Sequence, residues 1–148
     1  MFRSAKVFMI WAVGFTLWTV ISVWPSPALA LNQILSIRHW VAPDHTRVVI
    51  DTVDDALFST EKEDRKIIVS LEDTAFPVHI PSLILINKPG LEGVAISSYA
   101  PSGVRVELSL PGQVQTTVFK LKRFEDKPYR IVIDIVLPDV AKRESEAR

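Results

Sequence analysis

Three runs of this 148-residue chain set an arginine and an acid on the same face of strand-like sequence. They are Arg47 with Asp51 in Thr46-Arg47-Val48-Val49-Ile50-Asp51, Arg105 with Glu107 in Gly103-Val104-Arg105-Val106-Glu107-Leu108, and Arg130 with Asp134 in Tyr129-Arg130-Ile131-Val132-Ile133-Asp134-Ile135. Successive side chains of a strand point to opposite faces, so Val48 and Ile50 turn toward a core while Arg47, Val49 and Asp51 share a charged, wet face. A guanidinium fork fits a carboxylate through two parallel bonds, and an aspartate accepts protons from hydroxyl and amide groups. Those faces therefore offer recognition of a carboxylate-bearing ligand. They also offer plain surface ion pairs, Arg47 with Asp51 and Arg130 with Asp134, worth about 0.2–1 kcal/mol each.

Other chemistry has less support. His39, His45 and His79 fall on a strand end, a turn and a proline-rich connection, with no His-Glu-x-x-His spacing, so no metal site is expected. No Gly-x-Ser-x-Gly turn marks a nucleophile. Glu61, Glu63, Asp64, Glu72 and Asp73 supply carboxylates that could pair for glycoside hydrolysis, but they read as a solvated hairpin loop and a strand end. The chain is expected to be non-catalytic and to need no cofactor.

Residues 1–30 have the form of a secretory signal: Arg3 and Lys6, an apolar run from Val7 to Trp24, then Pro25-Ser26-Pro27-Ala28-Leu29-Ala30. The expectation is cleavage after Ala30 and delivery to the periplasm. The alternative is a retained inner-membrane anchor over residues 7–24, the only membrane contact foreseen. Removing residues 1–30 takes away two basic and no acidic residues, leaving 15 against 17, a net of −2. A nearly neutral body argues against nucleic acid and against a polybasic membrane patch. The absence of cysteine removes disulfides, thiolate sites and lipidation at the processing site, so an apolar core must hold the exported body.

From Leu31 onward short alternating runs are separated by turn chemistry, which indicates an all-β fold. Strands are expected over Ile34–Trp40, Arg47–Thr52, Ala56–Thr60, Arg65–Glu72, Val94–Tyr99, Val104–Leu110, Gln115–Leu121 and Tyr129–Val136. Glu61–Asp64 reads as a loop. Residues 73–93 are a proline-rich connection in which Leu83–Ile86 forms either a short strand or one helical turn. The pattern repeats: Arg47 maps onto Arg105 at an offset of 58, Lys66–Leu71 onto Arg130–Ile135 at 64, and Trp40 onto Tyr99. Two halves of about four strands, each too small to bury both faces, imply a β-sandwich of two similar, roughly four-stranded sheets over residues 31–139. Residues 140–148 read as a flexible charged tail.

With the strands and repeat placed, Ile34 to Pro138 resembles the AMIN domain, the N-terminal module of periplasmic N-acetylmuramoyl-L-alanine amidases and of pilus secretins. Thr46–Asp51, the Phe-x-Leu of Phe119-Lys120-Leu121, and Tyr129–Ile135 carry the likeness. The resemblance implies a two-sheet sandwich that binds peptidoglycan or places its carrier in the cell envelope. On that footing Arg47, Arg105 and Arg130 would hold muropeptide carboxylates, Asp51, Glu107 and Asp134 would accept from sugar hydroxyls and amides, and Trp40 and Tyr99 would stack on sugar faces or seal the sandwich edge. One departure is paired. The acids at Asp51 and Asp134 have Ser109 and Ser70 as their repeat partners, which speaks against two equivalent glycan sites. Alternatives are an adaptor for a secretin, type IV pilus or export complex, and the leading module of a truncated amidase, since no zinc amidase domain follows Pro138.

Overall fold

Val48, Val49 and Ile50 are β-branched residues that favour an extended backbone, and they form the centre of β2 (His45–Thr52). The computed structural model describes residues 31–137, where ten strands and no helix occur. The expected signal or anchor and the expected tail lie outside the described residues. The other strands are β1 (Asn32–Val41), β3 (Phe58–Glu63), β4 (Lys66–Glu72), β5 (Thr74–Ala75), β6 (Leu83–Lys88), β7 (Leu91–Tyr99), β8 (Gly103–Ser109), β9 (Thr116–Leu121) and β10 (Tyr129–Val136).

They form two five-stranded sheets, ordered β5-β1-β2-β10-β9 and β3-β4-β8-β7-β6, so the chain is an all-β sandwich. The sheets are larger than expected because the central connection adds β5 to one edge and β6 to an edge of the other. The repeat is interleaved. Each sheet joins the first two strands of one half to the last two of the other, β1-β2 with β10-β9 and β7-β8 with β4-β3. Neither half makes a sheet of its own.

Alternation builds the core. Val48 and Ile50 on β2 and Ile131, Ile133 and Ile135 on β10 meet Ile67, Val69 and Leu71 on β4 and Val104, Val106 and Leu108 on β8, all buried. Each fully buried aliphatic side chain contributes roughly 1.5–3 kcal/mol. The buried core cluster lies entirely between Ile34 and Ile135, so residues 31–137 enclose their own core.

Two expectations need correction, and one open choice is decided. The outer face of β2 is not wet: Val49 is 2% and Asp51 4% exposed, because long side chains of neighbouring strands lie across it. Glu61 and Glu63 are not loop residues but part of β3, and the chain reverses at Asp64-Arg65. β3 is an edge strand, and charged side chains suit an edge that must not recruit another chain. Of the two forms open to Leu83–Ile86 the structure has the strand, with Ile86 packed on the core while Leu83 and Leu85 are exposed.

Candidate functional site

The outer face of the first sheet concentrates the charge. Asp51 on β2 accepts from Ser36 Oγ and, through both oxygens, from Arg38 Nε at 2.7 Å and Nη2 at 2.9 Å. That hydrogen bond outweighs burial and holds the Arg38 guanidinium above its ordinary pKa. Arg47 faces Asp134 across the β2–β10 ladder and grips it through Nε and through Nη2 at 2.6 Å. Arg47 is likewise raised, chiefly by its bond to Asp134. Its guanidinium lies 5.7 Å from the Trp40 ring and 5.8 Å from the Phe119 ring, inside cation–π range of both. Trp40 reaches it as the residue opposite on β1.

Neither foreseen ion pair forms: Asp134 is taken by Arg47 and Asp51 by Arg38. Arg47 and Asp51 stand four residues apart on one strand, about 13 Å at the usual rise, too far to touch directly. Their partners come from neighbouring strands, and Arg38 was not among the residues singled out from the sequence. Its signal was the alternation Ser36-x-Arg38-x-Trp40, which puts all three on one face of β1.

Arg130 is left over. It faces Asp51 in the β10–β2 register, yet that carboxylate is already engaged by Arg38 and Ser36, and among the described residues the buried Arg130 Nε has no hydrogen-bond partner. Arg130 lines a cleft of about 240 Å³ together with Arg38, Arg47, Lys127, Trp40 and Leu121, floored by Val49 and Val132. Four cations line this cleft, and two carboxylates, Asp51 and Asp134, bond with Arg38 and Arg47. A buried donor without an acceptor costs about 1–3 kcal/mol, so an anionic ligand atom would relieve it.

Arg105, Glu107 and Tyr99 lie on the second sheet, whose outer face is on the far side of the sandwich from this cleft. The eight expected residues thus divide between two faces and make no single site. Arg105 lies 5.6 Å from the Tyr99 ring, and among the described residues its buried Nε also lacks a partner. Glu107 is met by Lys66 at 3.6 Å. Trp40 and Tyr99 do not occupy matching positions: Trp40 faces Arg47, whereas Ser97 faces Arg105 and Tyr99 faces Gly103. The sequence match is out by two residues, which keeps the face and moves the ring.

The histidines stay apart. His45 Nδ1 bonds Asp44 at 2.7 Å, which is the main reason the Asp44 carboxyl is held below its ordinary range, while His79 Nε2 reaches the Leu35 carbonyl at 3.0 Å. Among the described residues no group of three or more His, Cys, Asp or Glu could hold a metal ion.

Comparison with known families agrees with this architecture. The family model described as AMIN domain matches residues 36–135, which runs from Ser36 through Ile135 and takes in the cleft and both sheets. Among curated proteins nothing matches the chain.

Proposed function

The chain belongs to the AMIN domain family, and from that premise we propose that it is a non-catalytic peptidoglycan-binding module of the cell envelope, exported to the periplasm by residues 1–30. The observation that carries this reading is the buried, unpartnered Nε of Arg130 in a cleft where cations outnumber carboxylates. A carboxylate of a peptide stem would complete Arg130 as Asp134 completes Arg47. Trp40, 44% exposed beside it, offers a flat apolar ring for a sugar face.

A second reading has its own observation. β6 is an edge strand whose Leu83 and Leu85 are 60% and 74% exposed, and such an edge can pair with a strand of another envelope protein, as in a secretin, pilus or amidase assembly. Residues 31–148 tested in parallel against purified sacculi and an envelope-protein extract separate the two. Sedimentation with sacculi that weakens as salt rises supports the cleft reading. Capture of an envelope protein with no retention on sacculi favours the edge and overturns it.

A further inference from the structure

A sheet edge offers unpaired N–H and C=O groups to any other strand, and proteins blunt such edges with charge, with inward-pointing lysines or by keeping them short. Among the described residues, three of the four edges of this sandwich are blunted. β5 has two residues. β3 carries Glu61, Lys62 and Glu63, and Lys62 shares the inward face with Ile67 and reaches the Val114 carbonyl at 2.7 Å. On β9, Lys120 shares the inward face with Ile131 and pairs with Asp55. The fourth edge, β6, carries no charge from Leu83 to Asn87.

The register decides what β6 presents. The Ile96 N–H bonds the Ser82 carbonyl at 2.7 Å, so Ser82 and Ile96 are a hydrogen-bonded pair. Such pairs alternate along an antiparallel ladder, which gives the next one to Ile84 and Val94. Leu83 opposite Ala95 and Leu85 opposite Gly93 therefore turn their N–H and C=O groups to the open side. Their side chains lie on the outer face, because Val94 and Ile96 point into the core. Across the ladder they meet only a methyl group and bare backbone, and they stay 60% and 74% exposed.

This edge complements itself. In an antiparallel pair of two β6 strands about Ile84, Leu83 of each copy stands opposite Leu85 of the other. The free backbone groups then exchange bonds, and the leucines of both copies close on one another on a single face. Lys88, the only charge of β6, sits at the strand end away from that axis, so no like charges are opposed. The same operation on β3 about Lys62 would set Glu61 against Glu63 of the other copy. Pro81 and Pro89 bound β6 and, lacking an N–H, confine the pairing to it.

We propose that β6 is a homodimer interface: a second copy of this chain adds its β6 antiparallel about Ile84, and the two second sheets become one ten-stranded sheet. This pairing rests on the same open edge as the second reading of function and names its strand; it is independent of the Arg130 cleft. The two-fold axis runs normal to the sheet, so both first sheets, each with its cleft, lie on the same side of the joined sheet.

The test is sedimentation velocity on residues 31–148, which enclose their own core, from micromolar to millimolar protein, with backbone hydrogen exchange read at both ends of that range. A strand pair of this size is a small interface, so monomer at low and dimer at high concentration are expected, with the Leu83 and Leu85 amides protected only in the dimer. Leu85→Lys sets a charge among the leucines at an exposed position and should weaken dimerisation at least about tenfold with an unchanged unfolding midpoint. Leu57→Lys, at a position 66% exposed beside the opposite edge strand β3, should dimerise as the parent does. A chain that stays monomeric throughout the range overturns the proposal. So does a dimer that survives Leu85→Lys, weakens equally in Leu57→Lys, or leaves the Leu83 and Leu85 amides unprotected. A monomer that captures an envelope protein through β6 overturns the dimer and keeps the second reading of function, so the two fail separately.

Discussion

Arg105 faces Ser70 across β8–β4 in the register at which Arg47 faces Asp134 across β2–β10. The same equivalence sets Lys66 opposite Ser109 where Arg130 stands opposite Asp51. Both surviving aspartates therefore lie in the first sheet, although each comes from a different half of the repeat. The first sheet became the charged, internally bonded face, and the second kept a cation without its acid.

Ser70→Asp should stabilise the fold. The added carboxylate faces Arg105, whose buried Nε has no acceptor among the described residues, and a charge-assisted bond of this kind is worth about 1 kcal/mol at a partly covered site. Urea unfolding should show a higher midpoint with an unchanged slope. An unchanged or lower midpoint would mean that Arg105 and residue 70 do not meet as the register states.

Asp51→Ala should be costly. Asp51 is 4% exposed and holds both Ser36 and Arg38, and its removal strands three donors at once. Because the Arg38 side chain is 55% exposed, water recovers part of the loss, and the expected cost is about 1–3 kcal/mol. A thermal midpoint within about 2 °C of the parent would contradict this.

Much of the sandwich could be read from the sequence, and the reasons are local. Ile67, Val69 and Leu71, like Val104, Val106 and Leu108, alternate strictly, so their inward face followed from strand geometry alone. The interleaving of the halves could not be read in this way, since alternation says which face is buried and not which strand lies alongside. For the same reason Arg47 and Asp51 appeared to be partners, when each is bonded across the sheet to Asp134 and Arg38. Val49 shows a further limit: it sits on the charged face and is buried by the arginines and aromatics laid over it.

Gly103→Ala should loosen the packing of Tyr99 against Arg105. A Cβ at residue 103 would meet the Tyr99 ring and the Leu71 carbonyl, so Tyr99 must move away from Arg105. The expected cost is about 1–3 kcal/mol, with altered Tyr99 ring signals in the folded protein. Unperturbed ring signals would show that Tyr99 is not held there.

Asp44 predicts a pH signature. Its carboxyl is held below the ordinary range, first by the hydrogen bond to His45, so its stabilising effect is present above the unfolded carboxylate value and is lost as pH falls through the lowered folded one. Asp44→Asn should therefore be less stable than the parent at neutral pH, and the two unfolding curves should converge in acid. A gap that stays constant with pH would rule out this linkage.

Arg130 is the cleft's central residue for ligand binding: its buried Nε has no acceptor among the described residues. The direct measurement is sedimentation of residues 31–148 with purified sacculi, comparing the parent with Arg130→Gln at equal urea midpoints. The parent should bind, and the variant should lose about tenfold in affinity, equivalent to about 1.4 kcal/mol, while its stability stays within about 0.5 kcal/mol. Equal binding by the two proteins, or no binding by the parent, would contradict the assignment of this cleft to peptidoglycan.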